Sequence, residues 1–126
     1  MPDFIPPSTT DETQAFWDAA AHGELLLKRC LDTGKCFYYP REYSPFTGGR
    51  TEWVKAAGTG VIYSCSISYR ARPNYCVAYI RLDEGPIILS NVEGDDPSRI
   101  AIGQRVRVVF HAGAGGRRAP FFVLAD

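Results

Sequence analysis

CLDTGKCFYYPREYSPFTGG, residues 30–49, has the spacing of a metal site without its ligands. A zinc ribbon closes four thiolates around one ion by pairing two C-x-x-C knuckles. Here the four corresponding positions are Cys30, Thr33, Ser44 and Thr47. Neutral hydroxyls are poor partners for a borderline-soft cation, so the stretch predicts a ribbon-shaped module with no bound metal. The turn residues of a ribbon are retained: Gly34 after the first knuckle, Pro40 between the two, Pro45 inside the second and Gly48-Gly49 closing it. A structural zinc contributes about 10–16 kcal/mol in small fingers, so something must replace it. Phe37, Tyr38, Tyr39, Tyr43, Phe46 and Trp53 are the expected substitutes. Cys36 lies out of register with the knuckles, and only together with Cys30 and a distant His22 or His111 would it rebuild a ligand set.

Strands flank this stretch. Leu25, Leu26 and Leu27 lead into the first knuckle and Trp53 sits on the way out of the second, so the ribbon-like module covers residues 24–57. Upstream, residues 1–23 form a helical arm: a proline-rich extended start, a Thr9/Glu12 capping box, and a helix that stops at Gly23. Phe16, Trp17, Ala20 and Thr13 form its apolar side. Neighbours on a helix point about 100° apart, so Phe16 and Trp17 are expected to divide their roles, one packing on the ribbon and the other reaching a protein partner.

Downstream, residues 58–126 read as five strands. In the first, Val61, Tyr63, Cys65, Ile67 and Tyr69 alternate with Ile62, Ser64, Ser66 and Ser68, which predicts a core face and a wetter one. RARPN, residues 70–74, is a hairpin loop; strands over 75–84 and 87–91 follow around Gly85-Pro86. Asp96-Pro97-Ser98 starts a short helix, after which Ile100 and Ile102 are expected to plug the barrel end. Strands over 104–111 and 119–124 complete the set, joined by the basic loop AGAGGRR. Five strands with a small helix between the third and fourth is the order of an OB-type Greek-key barrel. The fold class is therefore mainly β: a helical amino-terminal arm, a zinc-ribbon-like β module without metal, and a five-stranded OB-fold barrel.

The 126 residues carry 14 Lys plus Arg against 14 Asp plus Glu, so no global field draws the chain to nucleic acid or to an anionic membrane. With neither an apolar leader nor a membrane-spanning run, a soluble cytoplasmic protein with free thiols is expected. Catalytic signatures are lacking too: no cysteine has an adjacent base, and there is no G-x-S-x-G elbow or paired-carboxylate motif. An OB barrel suggests single-stranded nucleic acid as the alternative ligand. Tyr63, Tyr69, Tyr75 and Tyr79 lie in the barrel half, and strand parity assigns half of them to the core. Residues 58–126 hold eight Arg against six acidic residues, a net of +2, which is little for binding several phosphates.

GELLLKRC, Gly34, Tyr39-Pro40-Arg41, Ser44-Pro45, GTGVIYS, LDEGPIILSN and IGQRVRVVF occur in an order and spacing that cover nearly the whole chain. In these segments the chain resembles a small two-domain family, long filed as of unknown function, in which a helical arm and a rubredoxin-like zinc ribbon precede an OB fold. The resemblance implies a non-catalytic accessory subunit, associated with acyl-CoA, of a thiolase-like enzyme that makes or cleaves carbon–carbon bonds. It also implies a coenzyme A thioester as ligand, running between ribbon and barrel, and no cofactor of the chain's own. Guanidinium matches phosphate in two-point geometry, so the loop arginines Arg70, Arg72, Arg117 and Arg118 are the expected contacts for coenzyme A, and Phe16 and Trp17 those for the partner. The departure from the family is at the metal, where three of the four ligand positions are replaced.

Overall fold

The computed structural model describes residues 4–70 and 73–125. One helix, α1 (Gln14–Ala21), precedes a three-stranded antiparallel sheet of β1 (Leu26–Cys30), β2 (Cys36–Phe37) and β3 (Thr51–Lys55), in the order β2-β1-β3. The barrel follows: β4 (Thr59–Ser68), β5 (Tyr75–Leu82), β6 (Ile87–Glu93), β7 (Arg105–Ala112) and β8 (Arg118–Leu124) close in the order β4-β5-β6-β8-β7. The β6–β8 pair is parallel and every other pair is antiparallel, which is the OB arrangement expected from the strand order. Among the described residues no helix is long and apolar enough to cross a membrane.

The start of α1 differs from expectation. Thr13, not Thr9, occupies the N-cap position, its hydroxyl bonded back to Thr10 rather than into the helix, and the Thr9/Glu12 capping box does not form. Glu12 instead accepts the backbone N–H of Glu42 at 2.9 Å, so the carboxylate ties the arm to the ribbon rather than closing its own helix. The helix end follows the sequence. Gly23 has φ +78°, its N–H reaches Ala20 O and that of Glu24 reaches Ala19 O, the paired bonds of a Schellman stop.

Register places Ile62 opposite Ile80, Ile80 opposite Ile88, and Val92 opposite Phe122. These side chains, with Val106, are all 3 % exposed or less and fill the barrel. The alternation read along β4 does not hold throughout, because a bulge between Ile62 and Ser64 shifts the pairing with β5. Before it Ile62 points inward and Tyr63 outward; after it Cys65 and Ile67 pack against the core. One extra residue reverses the side on which apolar residues fall. The helix after β6 is a single 3-10 turn, Pro97–Arg99, capped by the Asp96 carboxylate on Ser98 N–H. Ile100 plugs the barrel as expected, but Ile102 is 68 % exposed and does not.

Ribbon and barrel join without slack. Ala56 N–H bonds Leu25 O, Ala57 N–H bonds the Glu84 carboxylate, and Val108 N–H bonds Gly58 O at 2.7 Å. Gly58 has φ +79°, and a Cβ there would lie 2.6 Å from Val108 Cγ1, so only glycine fits the joint. The amino-terminal segment crosses the β7–β8 hairpin: Phe4 meets the Phe121 ring edge-on at 4.9 Å and its carbonyl accepts from Ala114 N–H.

Candidate functional site

Both knuckles are fully formed, with the same backbone bonds. Cys30 donates its N–H to Lys35 O and accepts from Gly34 N–H; Ser44 donates to Gly49 O and accepts from Gly48 N–H. The two glycines have φ of +73° and +75°. Ser44 is thus the geometric counterpart of Cys30, and Thr47 that of Thr33. The hydroxyls are held by the backbone: Thr33 Oγ1 accepts from Lys35 N–H, Thr47 Oγ1 from Gly49 N–H, and Ser44 Oγ from Phe46 and Thr47 N–H. Short hydroxyl-to-backbone turns therefore keep the shape that thiolates would otherwise set.

Cys30 is fully enclosed. Donation from the Ser44 hydroxyl, and next from Thr33, brings its thiol down to about 6 against the opposing effect of burial. Thr47 Oγ1 lies 3.7 Å from the sulfur, but its proton goes to Asp32 Oδ2 at 2.7 Å, so Ser44 and Thr33 supply the donated protons. One thiol and three hydroxyls with engaged lone pairs do not fit zinc. The alternative ligands do not converge on Cys30. Cys36 pairs with Arg29 across β1–β2, so its side chain lies on the sheet face opposite Cys30. His22 bonds Asp18 O at the end of α1, and His111 bonds Glu93 at 2.6 Å on the barrel. Among the described residues no group of three or more His, Cys, Asp or Glu side chains could hold a metal ion.

A cleft of about 570 Å³ opens between the arm and the ribbon, whereas the resemblance implied a channel between ribbon and barrel. Thr10, Thr13, Tyr38, Tyr39, Pro40 and Arg41 line it. Burial, and then Tyr39, push the Tyr38 phenol up to about 12, so it stays a proton donor. Beyond the cleft, Lys28 is 8 % exposed, donates to Thr51 Oγ1 at 3.1 Å and sits 4.4 Å over the Trp53 ring. Its burial lowers the ammonium pKa against the pull of Glu42 and Glu12. Phenol, hydroxyl and guanidinium groups on the cleft wall can bind and position a polar ligand.

Phe16 and Trp17 do not divide their roles as expected; they are 0 % and 5 % exposed. The helix lies in a notch between β1 and β8, so residues 100° apart both find a wall. Phe16 meets Tyr38 and Tyr39 edge-on, and Trp17 donates its indole N–H to Tyr39 OH. Two of the four arginines share this joint. Arg117 donates to Pro7 O and stacks over Trp17, while Arg118 donates to Ala21 O and stacks over Phe110. Arg70 is exposed beside its hairpin loop, and Arg72 lies outside the described residues. Tyr39 and Glu84 as clasps, and His111 paired with Glu93, were not foreseen, because nothing local in sequence marks contacts made across elements.

Comparison with known proteins follows the same division. Residues 17–44 match the model "ChsH2, rubredoxin-like zinc ribbon domain", and residues 53–111 match "ChsH2, C-terminal OB-fold domain". A probable enoyl-CoA hydratase alpha subunit of Thermomonospora curvata is 31 % identical over 80 % of this chain and 34 % of its own length. A 3-oxo-4,17-pregnadiene-20-carboxyl-CoA hydratase alpha subunit of Mycobacterium tuberculosis is 28 % identical over 82 % of this chain and 35 % of its own. The chain therefore spans about a third of the length of these two curated relatives. Among solved structures, a chain of the Ltp2-ChsH2(DUF35) aldolase superposes with a TM-score of 0.82 at 26 % identity, covering 96 % of this chain and all of that one. A DUF35 protein of unknown function from Sulfolobus solfataricus shares the fold, with a TM-score of 0.65 at 17 % identity over 80 % of this chain and 79 % of that one. A DUF35 domain-containing scaffold protein of Methanothermobacter thermautotrophicus is 32 % identical over 68 % of this chain and 71 % of its own length, and with the same ribbon and barrel in the same order this chain belongs to the DUF35 family.

Proposed function

We propose that the chain is the non-catalytic, acyl-CoA-associated accessory subunit of a thiolase-superfamily enzyme acting on carbon–carbon bonds of acyl-CoA thioesters. The observation that carries this reading is the end-to-end superposition on a chain of the Ltp2-ChsH2(DUF35) aldolase. The names of the other relatives support it, two being alpha subunits of hydratases and one a scaffold. So does the local chemistry, since Cys30 faces hydroxyls and His111 faces a carboxylate, neither of which is a nucleophile–base pair. Coenzyme A thioester is the proposed ligand. Arg70 would meet a phosphate from the exposed hairpin, and Arg41 another from the arm–ribbon cleft; Arg117 and Arg118 would have to leave the joint they hold.

Co-expression with the thiolase-superfamily protein encoded nearest to this chain's gene, followed by size exclusion and an acyl-CoA cleavage assay, tests the reading. The expected result is a stable complex whose turnover or stability exceeds that of the partner alone, with no turnover by the chain itself. Turnover of an acyl-CoA by the purified chain, or no complex with any thiolase-like protein, would overturn it. Calorimetric titration of coenzyme A into the complex, with Arg70→Ala and Arg41→Ala variants, tests the ligand contacts; unchanged affinity removes them.

A further inference from the structure

The outer face of β4, β5 and β6 is unlike an ordinary solvated sheet. The bulge in β4 turns Tyr63 outward, and Tyr79, Ile87 and Leu89 point the same way, with exposures of 51, 48, 41 and 54 %. Register makes them neighbours: Ser64, Tyr79 and Leu89 form one cross-strand row, and Val61, Arg81 and Ile87 the next. Strands in a sheet lie about 4.8 Å apart, so these side chains form one contiguous patch rather than scattered surface apolars. The Arg81 guanidinium sits 4.9 Å over the Tyr63 ring, which holds the patch's cation in place before anything binds.

Charge on the face is sparse. The outward positions are Val61, Tyr63 and Ser64, then Ser66 and Ser68; across from them come Tyr75, Val77, Tyr79 and Arg81; on the third strand Ile87, Leu89, Asn91 and Glu93. They include one arginine, in the middle of the apolar patch, and one carboxylate, Glu93, which ends the third strand and is paired with His111. At the border, Arg105 is taken up in a two-point pair with Asp83, and Arg107 stands opposite Thr59 on the next strand. A nucleic-acid strand needs several phosphates neutralised along its path, which a single engaged arginine does not provide. Tyrosine and arginine over aliphatic side chains, with lysine absent and the one acid paired at the edge, is the composition of a protein–protein interface core.

We propose that this face docks the enzyme subunit that the chain serves, with Tyr79 and Leu89 as central anchors and Arg81 paired to a carboxylate set in an apolar patch of the partner. The proposal rests on the accessory-subunit reading and adds to it the surface used. The buried Phe16 and Trp17 leave that role open, and the bulge gains a purpose: it aims Tyr63 at the partner while keeping Cys65 and Ile67 in the core.

The test uses the full chain with the thiolase-superfamily protein encoded nearest to its gene, measured by calorimetry and light scattering. The variants are Tyr79→Ser with Leu89→Ser, Arg81→Glu alone, and Tyr43→Ser on the ribbon as a control. All four side chains are at least one-third exposed, so circular dichroism should show the parent fold in each variant. The double truncation should weaken binding by about thirtyfold or more, Arg81→Glu by about thirtyfold, and Tyr43→Ser not at all. Parent-like binding by the face variants would overturn the docking surface while leaving the accessory role standing. No binding by the parent would remove both. A self-dimer, or low-salt binding of a fluorescent oligothymidine, that these same variants abolish would assign the face to another copy or to nucleic acid and overturn the proposal.

Discussion

Trp17 donates its indole N–H to the hydroxyl of Tyr39 at 2.9 Å, a bond that joins the helical arm to the segment between the two knuckles. Tyr39→Phe removes the acceptor and leaves a buried N–H unpaired, so it should cost about 1–3 kcal/mol. Trp17→Ala also removes the ring from between Phe16 and Arg117 and should cost about 3–5 kcal/mol. Urea unfolding of the two variants checks the order; equal losses would mean that the hydrogen bond, not the ring, fastens the arm.

The knuckles make a prediction about metal. Protein purified from zinc-supplemented culture should contain no stoichiometric zinc by elemental analysis. Because both turns already have the bonds and glycine conformations of a ribbon, the triple variant Thr33→Cys, Ser44→Cys, Thr47→Cys should bind one zinc per chain and resist unfolding until a chelator is added.

Cys30 should make stability depend on pH near neutrality. Its folded value of about 6 lies below the ordinary thiol value of about 8.5, so the contribution is present above pH 8.5 and is lost as pH falls through 6. Unfolding midpoints of the reduced protein should decline over that window. Ser44→Ala, which removes the main donor to the sulfur, should flatten the slope whatever it does to absolute stability. Burial moves Cys36 and Cys76 the other way, so their effects fall outside this window.

A second acid-sensitive bond closes the barrel. Hydrogen bonds from Arg105, and next from Thr59, hold the Asp83 carboxyl down to about 2. A carboxylate depressed in the folded state stabilises above its unfolded value of about 3.9 and loses that contribution as pH falls toward 2. Asp83→Asn should make the fall of the thermal midpoint between pH 4 and 2 shallower than that of the parent; Asp96, held down by Ser98, keeps part of the slope in both. Equal slopes would show that Arg105 and Asp83 are not coupled.

Much of this architecture is legible in the chain. Turn residues between Cys30 and Gly49 announce a ribbon, and five apolar-patterned segments around a capped Pro97 turn announce the barrel. What escapes is any feature whose cause lies in another element. Glu12 reads as a capping partner for Thr9, but its carboxylate takes the N–H of Glu42, thirty residues on. Tyr63 reads as core because strict alternation places it with Cys65; a bulge between Ile62 and Ser64, set by pairing with β5, turns it out. Half of the barrel tyrosines were expected inside, yet Tyr63, Tyr69, Tyr75 and Tyr79 are all exposed. Arg117 and Arg118 sit in a glycine-rich run that looks mobile, and only the fold brings Pro7, Ala21 and Trp17 to meet them.

Because α1 lies against both β1 and β8, the boundary between residues 57 and 58 separates two folds but not two transplantable pieces. A graft of the ribbon alone would carry a helix with one side bare, and a graft of the barrel alone would leave Phe110, Phe121 and the two loop arginines without their cover. The unit that can be moved into a longer polypeptide, or exchanged between longer relatives, is arm, ribbon and barrel taken together.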